Sequence, residues 1–319
     1  LNADTVPNDT AKTIALIGAP IGAGAGIRGC AMGPAALRTV DIQATLEELG
    51  HTVFDQGDIA ISTLQSDNSP RTRNLIQVAS LAQGLSAATF RALESNLFPV
   101  ILGGDHSLAM GSVNGVARHC AKLSRELFVL WLDAHADFNT PATSPSGNMH
   151  GMSLAMLSGE PGLEAVMGDE PRVQVKPENI HLFGIRSVDR EERKLLSARG
   201  IHIADMRHIN EFGVVSPLKQ ILETVRAANG LLHVSLDIDF LDPAVAAAVG
   251  TTVPGGATYR EAHLIMEMLH ESGLVCSLDI VELNPILDER GKSARVLVDL
   301  AASLFGRKII DHKPENDRA

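Results

Sequence analysis

Apolar and polar positions along this chain fall into two alternating patterns. Short, nearly continuous apolar runs occupy residues 12–20, 52–59, 98–104, 127–135, 179–185, 201–205, 231–239 and 274–282. Runs of that length, closed by Gly, Pro or a polar residue, mark strands buried on both faces. Between them, apolar residues recur at helical spacing over 34–50, 70–96, 107–122, 150–158, 189–199, 217–229, 258–272 and 293–304. Strict alternation of the two patterns predicts parallel strands joined by right-handed crossovers. A closed barrel and an open doubly wound sheet both satisfy it, and both place functional groups at the carboxyl ends of strands.

No linker or repeat divides the 319 residues, so a single domain is expected, preceded by a flexible extension over residues 1–11. The formal charge of -11 argues against a nucleic-acid partner and suits a cationic small molecule. The opening ten residues are polar and no run of eighteen apolar residues occurs, which points to the cytoplasm and away from a membrane. Three widely spaced cysteines, Cys30, Cys120 and Cys276, read as buried thiols in a reducing compartment. The loop over 22–33 is rich in Gly and Ala but lacks the flanks of a phosphate-binding turn, so it is expected to pack near the site mouth. The loop over 140–148, dense in Pro, Ser, Thr, Gly and Asn, lies between two groups of candidate residues.

The chemistry is concentrated where three apolar runs end. Asp133, His135 and Asp137 alternate after one, Asp237 and Asp239 after another, and His106 follows Gly103-Gly104-Asp105. In an extended strand such alternate residues share a face about 6.6 Å apart. Buried carboxylates need a positive partner. Four carboxylates and two imidazoles suffice for two divalent ions with bridging carboxylates, and an oxygen-rich set without thiolate suits manganese. Two ions sharing a ligand activate water, which implies hydrolysis; there is no GxSxG nucleophile motif. Glu282 ends the last apolar run, where a buried carboxylate again calls for a cation.

These stretches are similar to a known family. GGDHS at 103–107, DAHADFNTPATSPSGNMHG at 133–151, SLDIDFLDP at 235–243, GTTVPGG at 250–256 and DIVELNP at 279–285 together resemble the ureohydrolases, and within them the arginases. The resemblance favours an open, eight-stranded, mainly parallel sheet in an α/β/α sandwich. It implies L-arginine as substrate, split by a manganese-bridging hydroxide into L-ornithine and urea, with two Mn2+ per subunit held by His106, Asp133, His135, Asp137, Asp237 and Asp239. Asp137 counts with His150 and Glu282 among the catalytic groups: Glu282 pairs with the guanidinium and His150 shuttles the proton to the leaving amine. Asn139 and Ser146 match residues that bind the substrate α-carboxylate, with Asn148 beside them. Asp189 and Glu192 match residues near the α-amino group, and Thr251 one near Asp239. Neutral donors suit a carboxylate and acidic groups an ammonium. A homo-trimer or homo-hexamer is also implied, with Arg260-Glu261 resembling a subunit-joining pair. Ser144, Pro145 and Ser187 depart from residues common in the family. Agmatine or another guanidino compound is the alternative substrate, and a non-catalytic arginine-binding metalloprotein the alternative class.

Overall fold

The computed structural model describes residues 11–62 and 69–308; apart from Ala11, the extension expected over 1–11 lies outside them. Among the described residues the first half of the chain forms β1 (Thr13–Ala19), α1 (Gly33–Thr39), α2 (Ile42–Glu47), β2 (Thr52–Asp58), α3 (Leu75–Glu94), β3 (Phe98–Gly103), α4 (Ala109–Lys122) and β4 (Leu127–Leu132). The second half forms α5 (Ser153–Leu157), β5 (Ile180–Ile185), α6 (Arg190–Arg199), β6 (His202–Asp205), α7 (Met206–Phe212), α8 (Val215–Ala227), β7 (Leu231–Asp237), α9 (Tyr259–Ser272), β8 (Val275–Val281) and α10 (Lys292–Leu304). All eight apolar runs contain strands.

The strands form one sheet in the order β2-β1-β3-β8-β7-β4-β5-β6, with every pairing parallel. β2 and β6 are free edges, so the sheet is open and the barrel is excluded. Alternate strand residues feed two cores. Ile14 and Leu16 of β1 pack with α1, α2 and α7 to α10, whereas Ala15 and Ile17 pack with α3 to α6. The result is a three-layer α/β/α sandwich. The chain places β3 beside β1, crosses to β4, and later fills the gap with β7 and β8. The carboxyl ends of β3, β8, β7 and β4 therefore face one crevice at the change of winding, where ligands bind in open α/β sheets.

Several helix bounds differ from the sequence pattern, each for a local reason. The helix expected over 34–50 breaks at Asp41, which adopts a left-handed φ of 61° and starts α2. The one expected from residue 70 begins at Leu75, after Asn74 turns left-handed at φ 58°. The segment over 150–158 opens as a 3-10 turn at Met149–Met152 before α5. The sequence pattern missed α7, because Asp205 both ends β6 and caps the helix, its carboxylate accepting the His208 N–H at 2.8 Å.

At the β5–β6 edge the His181 and His202 rings stack with centroids 4.9 Å apart, and the buried His181 Nε2 has no hydrogen-bond partner. Burial, then the neighbouring His202, push His181 down to about 4. The unfolded chain takes up this proton near pH 6.5 and the folded chain only near 4, so stability is lost as pH falls through that window. The loss amounts to about 3 kcal/mol. His181→Phe is expected to be close to wild type at pH 7 and more resistant to urea at pH 4.5, which equilibrium unfolding at both pH values checks.

Candidate metal centre and active site

The metal-ligand candidates and Glu282 sit at or just past strand ends, and the remaining site residues lie in the loops and helix starts that follow. β3 runs into a 3-10 turn at His106–Leu108 capped by Asp105, which accepts the Ser107 N–H at 3.0 Å. The other Asp105 oxygen accepts the Gly24 N–H at 2.8 Å, and Gly24 O accepts the His150 N–H at 3.2 Å. The Gly- and Ala-rich loop thus packs at the site mouth, as expected.

The carboxylate motifs are turned, not extended as their alternate spacing predicts. β4 ends at Leu132, and the chain turns so that Asp137 has a left-handed φ of 47°. Asp133 accepts the His135 N–H at 2.6 Å, and Asp237 accepts the Asp239 N–H at 2.8 Å, opening a 3-10 turn at Ile238–Phe240. Alternate residues of a straight strand would stay about 6.6 Å apart. These turns bring the carboxylates onto common points instead.

Two clusters result. In the first, His106 Nδ1 lies 3.1 Å from Asp133 Oδ2, Asp137 Oδ2 and Asp237 Oδ2. In the second, His135 Nδ1 lies 3.5 Å from Asp133 Oδ1 and 3.0 Å from Asp239 Oδ2. Asp133 joins them, one oxygen to each. His106 Nδ1 and Asp133 Oδ2 are buried and close, yet neither has a partner in hydrogen-bond geometry. Burial and neighbouring carboxylates push Asp137, Asp237 and Asp239 up, Asp239 to about 6, while His106 and His135 overcome burial to hold Asp133 low. Four carboxylates against two imidazoles leave negative charge that divalent cations would neutralise. Donor set, convergence and orphaned atoms all fit such ions.

Two residues that sequence reasoning missed orient His106. Ser235 Oγ bonds its Nε2 at 2.8 Å, which leaves Nδ1 to face the carboxylates, and Trp131 stacks on the ring at 3.9 Å. Ser235 lies two residues before Asp237 on the same strand, so period-two spacing held the signal. Metal uptake has to displace protons: although burial opposes the charged form, the facing carboxylates raise His106 and push His135 up to about 12. Apparent manganese affinity is therefore expected to fall about tenfold per unit of falling pH for each proton displaced. Fluorescence of Trp131, the single tryptophan, titrated with Mn2+ at pH 6 and pH 8 measures it.

Above the clusters opens a cavity of about 250 Å³. His135, Asp137 and Asp237 reach its wall; Asn139, Ser144, Ser146, Asn148, His150, Ser187, Asp189, Glu192 and Thr251 also line it. Thr251 Oγ1 donates to Asp239 Oδ2 at 3.3 Å. Asn139 Nδ2 donates to Asp189 Oδ2 at 3.1 Å, so the two substrate-end candidates form one unit. Asp189 is also the N-cap of α6. Both Glu192 oxygens are engaged by backbone, Oε1 by the Phe138 N–H at 2.9 Å and Oε2 by the Asp189 N–H at 3.1 Å. Burial pushes Glu192 up to about 7. Gly147 makes the loop possible: its φ is +72°, and a Cβ there would lie 2.2 Å from Pro70 O.

Glu282 is not on the cavity wall but directly behind His150. Its Oε1 accepts the His106 N–H at 2.8 Å and contacts His150 Nδ1 at 2.9 Å. Burial opposes both charges, yet each stabilises the other: His150 rises to about 9 and Glu282 falls below the usual carboxylate range. The His150 imidazolium thus bridges the cavity and a buried carboxylate.

The sequence profile described as Arginase family matches residues 12–306. The chain is 51% identical over 302 residues to an arginase of Agrobacterium fabrum, covering 94% of this chain and 93% of that protein. It is 49% identical to an arginase of Brucella melitensis, covering 93% of this chain and 97% of that one. Among solved structures it is similar to the native arginase of Bacillus caldovelox, with TM-score 0.87, 43% identity and coverage of 94% of this chain and 100% of the other.

Proposed function

The chain belongs to the arginase family, and from that premise we propose that it hydrolyses the guanidinium group of L-arginine to L-ornithine and urea with two manganese ions per subunit. One observation carries the reading: Asp133 joins two carboxylate–imidazole clusters beneath a cavity bordered by Asn139, Ser146 and Asp189. His106, Asp133, Asp137 and Asp237 would hold one ion; Asp133, His135 and Asp239 the other. Bound there, the ions supply Lewis acidity and make water a nucleophile near neutral pH.

The remaining steps belong to the chain. Ser146 and the second amide hydrogen of Asn139 donate to the substrate α-carboxylate, with Asn148 beside them, while Asp189 accepts from the α-ammonium. Glu192 holds Asp189 in place through its backbone N–H. The guanidinium reaches Glu282 by displacing His150 Nδ1 from Oε1. A carboxylate can meet the planar guanidinium with two oxygens at once, which fixes its orientation. His150 is left protonated beside the leaving nitrogen and supplies the proton that ornithine departs with. Thr251 steadies Asp239 Oδ2, the oxygen that faces His135.

The enzyme is further read as a single cytoplasmic domain that assembles as a trimer or hexamer. Family resemblance supports this, together with exposed Tyr259 and Leu264 beside Arg260 on α9. Glu261 is already engaged within its own helix start, accepting the Thr258 N–H at 2.8 Å.

Urea release from L-arginine and agmatine, side by side on manganese-loaded protein, tests substrate choice. Arginine is expected to be hydrolysed and agmatine to be a poor substrate. Asn139→Ala and Ser146→Ala should each lower kcat/KM for arginine by roughly tenfold or more, the effect of losing a hydrogen bond to a charged group. Preferred hydrolysis of agmatine would overturn the assignment of the rim while leaving the metal chemistry standing.

A further inference from the structure

Cys30 is buried at 1% exposure, and its thiol points at the active site. Sγ lies 3.5 Å from Glu282 Oε2 and 3.8 Å from the Glu282 carbonyl oxygen. Glu282 Oε1 already receives the His106 N–H and His150 Nδ1. The thiol is the donor that reaches the second oxygen.

The backbone makes this contact deliberate in form. Glu282 has a left-handed φ of 64°, costly for a residue with a side chain, so the backbone there must be held by its surroundings. The Cys30 loop is fastened to the same segment. Gly29, at φ 135°, packs so closely on the Asn284 amide that a Cβ would come within 1.9 Å of it. Asn284 Nδ2 in turn donates to Arg28 O at 3.0 Å. The loop preceding α1 and the turn following β8 are therefore fastened together, with Cys30 and Glu282 facing each other across the join.

We propose that Cys30 is a positioning residue for guanidinium recognition, its S–H holding Glu282 Oε2 so that both carboxylate oxygens keep the plane a guanidinium fork requires. This rests on the reading of Glu282 as the guanidinium carboxylate. A thiol suits the task because it is a weak donor, leaving lone-pair capacity on Oε2 for the substrate. Burial, and then the Glu282 charge, raise the thiol's pKa, so it stays a donor.

The test separates hydrogen-bond donor from volume on the full-length, manganese-loaded enzyme. Cys30→Ser keeps a donor and loses bulk; Cys30→Val keeps bulk and loses the donor; Cys30→Ala loses both. Expected is a roughly fivefold to tenfold rise in KM for L-arginine in the Ala and Val variants, with Ser within about twofold of wild type. The inhibition constant of ornithine, which carries no guanidinium, should stay unchanged in all three. A KM that follows side-chain volume, a KM that does not move, or a parallel loss of ornithine binding would each overturn the proposal. Failure of the wild type to hydrolyse arginine would instead overturn the reading of the site. Melting temperatures of the three variants identify any that fold poorly, and the Ser–Ala comparison stands if Val overpacks.

Discussion

Asp133→Asn is expected to lower kcat/KM for L-arginine by roughly 10³-fold or more, about 4 kcal/mol of lost transition-state stabilisation. Asp133 contributes Oδ2 to the cluster around His106 and Oδ1 to the one around His135, so among the described residues it alone belongs to both. An amide at this position keeps the size and can still accept the His135 N–H. It cannot present an anionic oxygen to each cluster, and one side would face an NH₂ donor. The variant should therefore fold but retain fewer than two manganese ions per subunit when dialysed against metal-free buffer. Elemental analysis beside urea assays checks both halves. Full metal content with full activity would mean that the two clusters do not form one cofactor site.

Glu282→Gln is expected to cost roughly 10²- to 10³-fold in kcat/KM, about 3 to 4 kcal/mol. Here the metal content should stay at wild-type level, because Glu282 stands outside both clusters. Two effects add. The substrate guanidinium loses its counter-charge, and His150 loses the partner that raises it to about 9. With that charge gone, the pKa of His150 falls. An acid that must be protonated loses activity as pH rises through its pKa, so the alkaline limb of kcat/KM is expected to move to lower pH. A profile unchanged in shape would contradict the coupling of His150 to Glu282.

Much of this architecture is legible in the amino-acid sequence. Buried parallel strands write themselves as apolar runs because both faces are covered, as in the six inner strands. The runs over 52–59 and 201–205 also contain strands, but β2 and β6 are sheet edges and largely exposed, not buried on both faces as the pattern implied. Helix boundaries were harder, since Asp41 and Asn74 break the helical path by left-handed backbone that apolar spacing does not register. α7 was hidden because Asp205 serves the strand and the helix at once. At the site, the metal-ligand candidates announced themselves as carboxylates and imidazoles clustered at strand ends, but their convergence depends on turns after Leu132 and Asp237 that a period-two pattern renders as extended chain. Cys30 was invisible as a neighbour of Glu282, because 252 residues separate them and a lone thiol carries no spacing signal.

The most direct measurement is urea formation from L-arginine by metal-stripped wild-type protein as Mn2+ is restored, followed together with bound manganese per subunit. The stripped protein is expected to release no urea, and activity should rise with occupancy to a plateau at two ions per subunit. Undiminished turnover in the stripped protein, or no urea from arginine at full occupancy, would contradict the account.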